Sequence, residues 1–314
     1  MEKHRGKVKT VFIIINFVII LSLSYFVYTE YNHYKNKNNE LKNIEEKYKL
    51  LLNDDTIGNN EIKEINEKIN DLENISNNIK EKQKDVFKLA SELEQKIKKK
   101  ETKKKIAYLT FDDGPYYNTY KVLNILKEKK VKATFFTTNV NGDKCYDNRS
   151  YDCHKLYSAI AKDNHTIANH TYTHGWNTGL YYNANTFIDA VKKQENLVKQ
   201  ETGLTTNIVR FPGGSGTPIA QRGKAGFNLM VNELKKNGYG WVDWTAQDGD
   251  GGWIASPEEG WKNFLSTIGE DIEVVLFHDY DWKTTTILPK VIDYLEENNY
   301  IILPLFYESV MINK

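Results

Sequence analysis

The chain carries ionisable residues at the ends of several strand-like runs. Asp112-Asp113-Gly114-Pro115 follows the run Ile106–Phe111, and His170-Thr171-Tyr172-Thr173-His174 follows Thr166–Asn169. Arg210-Phe211-Pro212-Gly213-Gly214 continues Ile208–Phe211, Asp248 and Asp250 come after Gly240–Trp244, and His278-Asp279 ends Glu273–Phe277. Two imidazoles four residues apart can reach one ion if the backbone turns. No Glu follows the first His, so this is not the helical HExxH zinc pattern. A carboxylate from another strand end would complete a two-His, one-carboxylate face with open positions for water and substrate. Of two adjacent aspartates, one can hold a metal while the other takes a proton, because successive residues of an extended segment point in different directions. Alone, each pattern has a plain structural reading: paired aspartates before Gly-Pro also make turns. Their recurrence at successive strand ends favours chemistry.

The elements that must position these groups alternate. Strand candidates are Ile106–Phe111, Ala133–Thr137, Thr166–Asn169, Ile208–Phe211, Gly240–Trp244, Glu273–Phe277 and Ile301–Leu305. Helical patterns such as Tyr120–Lys129, Phe187–Gln200 and Thr286–Asn298 lie between them. Such alternation implies a parallel sheet. Seven units predict an α/β fold, a distorted (β/α)7-type barrel over residues 106–314, with chemistry at the C-terminal strand ends.

These residues resemble a known family. Thr110-Phe111-Asp112-Asp113-Gly114-Pro115, His170-Thr171-Tyr172-Thr173-His174, Arg210-Phe211-Pro212-Gly213 and Leu276-Phe277-His278-Asp279 look like four of the five motifs of the polysaccharide deacetylases, carbohydrate esterase family 4. Order and approximate spacing match over about 200 residues. The resemblance implies that Asp113, His170 and His174 hold one divalent metal, zinc foremost, with cobalt, nickel or manganese also suited to such a face. It implies that Asp112 is the general base for the attacking water, that Arg210 orients it, and that His278 is the general acid for the departing amine. The Tyr116 backbone N–H would stabilise the oxyanion, and Trp244 and Leu276 would shape the pocket for the acetyl methyl.

The fourth motif departs from the pattern W-x-x-D-x-x-D-W. Gln247 stands at its first Asp position and Gly251 where Trp is expected. Asp250 best fits the carboxylate that orients His278, with Asp248 as a rival, and Trp253 is a candidate replacement for the missing wall. Cys145 and Cys153 flank a short polar insertion, and a disulfide closing that loop is expected if the domain is exported. His154 and His165 read as structural.

Residues 1–105 form a different physical regime. All six prolines, all six tryptophans and both cysteines lie beyond residue 114. The run VFIIINFVIILSLSYFV with Tyr28 gives about 18 residues, enough to cross about 30 Å of hydrocarbon. Lys3, Arg5, Lys7 and Lys9 precede it, which places the N-terminus inside and the rest outside. Ser22-Leu23-Ser24 also reads as a cleavage site, which would make the protein secreted. Over Leu41–Leu51 and again over Ile62–Ile97 apolar residues fall on heptad positions, including Ile62, Ile65, Ile69, Leu72, Ala90 and Leu93, with Ser76 and Gln83 as polar exceptions; between the runs Asp55 and Gly58 take the a and d slots, a flaw in one helix or a turn between two. The organisation expected is therefore a cytoplasmic N-terminus 1–10, a single-pass transmembrane anchor 11–28, a helical coiled-coil stalk and linker 29–105, and an extracytoplasmic catalytic domain. The stalk leaves homo-oligomerisation open.

The chain has 43 basic against 42 acidic side chains, a net charge of +1. That balance argues against nucleic acid as a partner. Two cysteines are too few for a disulfide-built scaffold. Together, anchor, spacer and resemblance point to N-deacetylation of N-acetylglucosamine in a cell-wall glycan, peptidoglycan before chitin-type or exopolysaccharide polymers. The rival from another class is a membrane scaffold that only binds glycan.

Overall fold

The computed structural model describes residues 87–88, 90–252 and 254–314. The chain divides into two compact units, Met1–Lys80 and Glu81–Lys314, and all described residues belong to the second. The expected anchor 11–28, most of the expected stalk, and Trp253 lie outside the described residues. Among the described residues no helix is long and apolar enough to cross a membrane.

The elements run β1 Lys105–Asp112, α1 Thr119–Lys129, β2 Thr134–Thr137, β3 Lys144–Cys145, β4 Asn148–Asp152, α2 Lys155–Lys162, β5 Thr166–Asn169, α3 Ala184–Thr202, β6 Ile208–Val209, α4 Gly216–Lys236, β7 Gly240–Trp241, β8 Ala246–Gln247, α5 Pro257–Thr267, β9 Ile272–His278, α6 Trp282–Glu297 and β10 Tyr300–Ile302. All but β3 and β4 form one parallel sheet, ordered β7-β6-β5-β2-β1-β9-β8, with β10 also on β1. All seven expected strands are present, the fifth shortened to the two residues of β7, and the chain breaks there before a further short strand, β8, that was not among those expected. The break has a function in the architecture. Val242 N–H donates to Val209 O beside β6, and Thr245 N–H donates to Val274 O of β9. One kinked segment therefore runs between the two end strands, and the parallel sheet curls into a half-barrel.

The pleat sorts the side chains. Along β1, Ala107, Leu109 and Phe111 pack outward with Val122, Leu126, Val275, Phe277 and the apolar face of α6. Ile106 and Tyr108 pack inward with Val274, Phe136, Ala168 and Ile208. Thr110 and Asp112 continue that inward row, since side chains alternate along a strand. The same parity puts Leu276 and His278 of β9 inside. The lower barrel is thus filled with apolar side chains, while the upper rim receives polar ones.

The base of the barrel is closed by residues that the heptad pattern assigned to the stalk. Residues 90–98 are helical, and Ala90 and Ile97 are buried in the same cluster as Ile106, Tyr108 and Phe306. Glu94, on the same face, is fully buried. Its Oε1 accepts from Tyr108 Oη at 2.6 Å and Ser309 Oγ at 2.5 Å, and its Oε2 accepts from Val310 N–H at 3.0 Å. The apolar positions of this last turn pair are covered by the barrel itself. The catalytic fold therefore begins before residue 106, and the expected linker is joined to it by a packed helix.

Removing the Glu94 carboxylate would strand three donors, two of them buried. We expect Glu94→Ala to cost roughly 2–4 kcal/mol of stability, measured by urea unfolding of the full-length chain. A loss below about 0.5 kcal/mol, the range of ordinary surface changes, would contradict this account of the junction.

Candidate active site

Five chain segments meet at the upper rim. Asp112 is the last residue of β1, in register with Phe136 of β2 and His278 of β9. Asp113 follows with φ of 71°, so the chain leaves the strand there. In a continuing strand Asp113 would point away from Asp112; the left-handed turn returns its carboxylate to the same cleft. His170 follows β5, and Thr171 and His174 also have positive φ, 63° and 46°. This is the backbone turn that two imidazoles four residues apart require.

Asp113 Oδ1 lies 3.3 Å from His170 Nε2 and 3.0 Å from His174 Nε2. One ligand atom from each of the three residues falls within 4.8 Å of the others. His170 Nδ1 donates to Arg210 O at 2.9 Å, which turns Nε2 toward Asp113. That outer hydrogen bond is the arrangement by which proteins fix the tautomer of a metal-ligating histidine. Asp113 Oδ1 is buried and has no hydrogen-bond partner. With its Nδ1 protonated, a neutral His170 turns a nitrogen lone pair toward a carboxylate lone pair, and a shared cation resolves that repulsion. The donor set, two imidazole nitrogens and one carboxylate oxygen, fits a divalent metal.

Asp112 is kept apart from this set by Arg210. The guanidinium is fully buried. It donates from Nη1 to Asp112 Oδ1 at 2.8 Å and to Thr110 Oγ1 at 2.7 Å. It also donates from Nε to Val242 O at 3.3 Å and from Nη2 to Asp243 O at 3.1 Å, and its face lies 4.1 Å from the Phe136 ring centroid. A buried charge needs such complete pairing. Asp112 Oδ2 is left facing His170 Nε2 at 3.7 Å.

On the other side stands His278. Its Nδ1 donates to Asp250 Oδ1 at 2.7 Å, and its backbone N–H donates to Asp250 Oδ2, also at 2.7 Å. Burial works against charge on His278, but the Asp250 carboxylate prevails and pushes its pKa up to about 10. Asp250 shows the reciprocal effect: burial opposes its charge, and the His278 charge holds it below the ordinary carboxylate range. His278 Nε2 is 3.8 Å from Asp113 Oδ2, so His278 and the candidate cation-binding set face one cleft. Between the two aspartates that the sequence left as rivals, the partner of His278 is Asp250.

The remaining expected residues fare differently. The Tyr116 N–H donates to Thr119 Oγ1 at 2.9 Å and is not free for an oxyanion. Thr119 passes the bond on to Asp279 Oδ2 at 2.6 Å. A turn held by its own side chain was not apparent from the motif. Leu276 is buried on β9, two residues before His278 and on its face of the strand. Trp244 is half-buried against Gly214, where a Cβ would lie 2.9 Å from the ring. Gly251 has a physical reason of its own: a Cβ there would lie 2.7 Å from His278 Cε1. The backbone presses on the His278 imidazole where the family pattern has a Trp. The Tyr280 ring lies against the same imidazole, 5.2 Å between centroids, and is itself 37% exposed.

Cys145 and Cys153 form the expected disulfide, and both are buried. The hairpin β3–β4 that it closes reaches the loop after Asp113. Asp147 accepts from the N–H groups of Tyr117 and Asn118 at 2.8 and 3.0 Å. His165 is structural as expected: it is buried, and its Nδ1 accepts from Ala133 N–H at 3.1 Å.

Comparison with known proteins agrees with this geometry. The polysaccharide deacetylase family model matches residues 99–229. A peptidoglycan-N-acetylglucosamine deacetylase of Bacillus cereus is 28% identical over 232 residues, which are 70% of this chain and 78% of that protein. The crystal structure of the catalytic domain of a peptidoglycan N-acetylglucosamine deacetylase from Eubacterium rectale is 31% identical, with a TM-score of 0.60 over 67% of this chain and 93% of that one. A polysaccharide deacetylase structure from Bacillus cereus is 27% identical, with a TM-score of 0.55 over 65% and 94%.

Asp113→Asn exchanges an anionic ligand atom for a neutral one. We expect more than about tenfold weaker zinc binding, the scale seen for losses around metal ligands, measured by competition with a chromophoric chelator. Unchanged affinity would remove Asp113 from the ligand set.

Proposed function

The chain belongs to the polysaccharide deacetylase family, whose members are hydrolytic N-deacetylases, and from that premise we propose that it removes acetyl groups from N-acetylglucosamine residues of peptidoglycan with the help of one divalent metal, zinc foremost. The observation that carries this reading is the division of labour at the rim: Asp113, His170 and His174 converge on one point, while Asp112 is reserved by Arg210 and His278 by Asp250.

When bound, the cation would polarise the amide carbonyl and lower the pKa of water from 15.7 to about 7. The chain's own residues do the rest. Asp112, fixed at one oxygen by Arg210, accepts a proton from the attacking water at the other. The water oxygen adds to the acetyl carbon, and the C–N bond breaks. His278, charged and held by Asp250, gives its proton to the leaving nitrogen. Acetate and a glucosamine amine result. A positioned base or acid contributes roughly 100- to 10,000-fold each. Tyr280 borders His278 and offers an aromatic face to a sugar ring.

The same reading places the catalytic domain outside the cell, tethered by residues 11–28. A buried disulfide suits an oxidising compartment, and Lys3, Arg5, Lys7 and Lys9 favour an internal N-terminus. Residues 29 to about 86 would act as the spacer toward the polymer.

Full-length protein incubated with wall fragments and with chitooligomers, followed by mass spectrometry, should show acetyl loss from glucosamine units of the wall fragments. Acetyl loss from chitooligomers alone would redirect the substrate, and none from either would defeat the reading. Asp112→Asn should lower kcat by about 100- to 10,000-fold while the metal content stays at the wild-type level. Wild-type turnover in that variant would show that another group takes the proton.

A further inference from the structure

Behind Asp250 lies a second buried carboxylate that the proposed reaction does not use. Asp248 and Thr284 are both fully buried. Thr284, in the first turn of α6, lies 2.6 Å by its Oγ1 from Asp250 Oδ2 and 2.9 Å from Asp248 Oδ2. Asp248 Oδ1 accepts from the Asp250 N–H at 3.1 Å.

The hydrogen atoms can be counted. A threonine hydroxyl has one proton, and ionised carboxylates only accept. If both aspartates were ionised, one of the two contacts would set lone pair against lone pair in a buried site. One carboxyl therefore carries a proton. Asp250 receives two donors from His278, the backbone N–H and Nδ1–H, and faces the Thr284 hydroxyl with the same Oδ2 that takes the backbone bond. Three donors suit an anion. Asp248 receives one backbone N–H, meets the Thr284 hydroxyl, and its side chain also meets that of Asp250. The proton belongs on Asp248.

We propose that Asp248 is a carboxylic acid held neutral at neutral pH that donates to Thr284, so that Thr284 donates to Asp250 and the chain Asp248–Thr284–Asp250–His278 fixes the general acid. Asp248 and Thr284 are positioning residues, since neither touches the reacting atoms. Burial and then the Asp250 charge push the Asp248 carboxyl up to about 8, in accord with the count. The arrangement also explains why Asp248 occupies a position where the W-x-x-D-x-x-D-W pattern does not call for an acid: it serves as a donor and brings no second charge beside Asp250.

This inference rests on the deacetylase reading for its kinetic arm only. Asp248→Asn supplies an amide donor in place of the acid proton and should keep kcat within about threefold of wild type. Asp248→Ala and Thr284→Val should each lower kcat by about 10- to 100-fold, the range for lost outer-shell partners, with KM and bound zinc unchanged; Thr284→Ser should restore it. Independently of turnover, proton NMR of the full-length protein with labelled histidine should show the His278 Nδ1–H resonance far downfield in wild type, Asp248→Asn and Thr284→Ser, and moved upfield in Asp248→Ala. The proposal is overturned if Asp248→Asn is as impaired as Asp248→Ala, or if Thr284→Val turns over normally. Should Thr284→Val not fold, the Asp248 pair decides. If the wild type itself releases no acetate, the deacetylase reading fails, while the resonance still tests the chain of hydrogen bonds.

Discussion

Arg210 joins nearly every part of the site. Its side chain crosses the barrel interior and satisfies four acceptors on two other segments, Thr110 and Asp112 of β1 and the carbonyls of Val242 and Asp243. Its own carbonyl takes the Nδ1 proton of His170. One residue therefore fixes Asp112, the ring orientation of His170 and the kinked segment between the two end strands. A guanidinium with no exposure would be costly to bury without these partners. Losing any one of them would leave a charge or a donor uncompensated in the core, so Asp112, His170 and the segment after β7 are bound into one structure.

Much of this was legible in the chain. Asp112, His170, Arg210 and His278 sit where strand-like runs end, and a parallel barrel brings such ends together. The motifs add the roles that the family resemblance implies for Asp113, His170, His174, Asp112 and His278. What was not legible is instructive. Thr284 and Thr119 carry hydrogen bonds on which the site depends, yet a threonine in a helical turn has no signature in a single sequence. Glu94 looked like one more charge on a solvated helix, because only the fold places Tyr108, Ser309 and Val310 N–H around it. The N–H of Tyr116 was assigned to the substrate because the motif shows the backbone but not the side chain that claims it. Local pattern reports which residues face a core; it does not report which polar partner a buried group finds.

The helix over 90–98 shows a limit of periodicity. Ala90, Leu93 and Ile97 continue a heptad that begins far upstream, and spacing alone cannot tell a coiled-coil seam from a face that docks on a barrel. The buried carboxylate of Glu94 decides the matter for this stretch, since its three partners all come from the catalytic fold.

The cleft as a whole separates three tasks that compete for the same kind of side chain. One aspartate is turned by a left-handed backbone toward two imidazoles, its neighbour is claimed by an arginine, and a third is claimed by a histidine on the opposite wall. The division has meaning only if a cation occupies the first group. Anomalous diffraction from crystals of the zinc-loaded protein, collected on either side of the zinc absorption edge, tests this directly. The account requires one peak with Asp113 Oδ1, His170 Nε2 and His174 Nε2 at about 2.0–2.2 Å. A peak bound through Asp112, or none in this cleft, would contradict it.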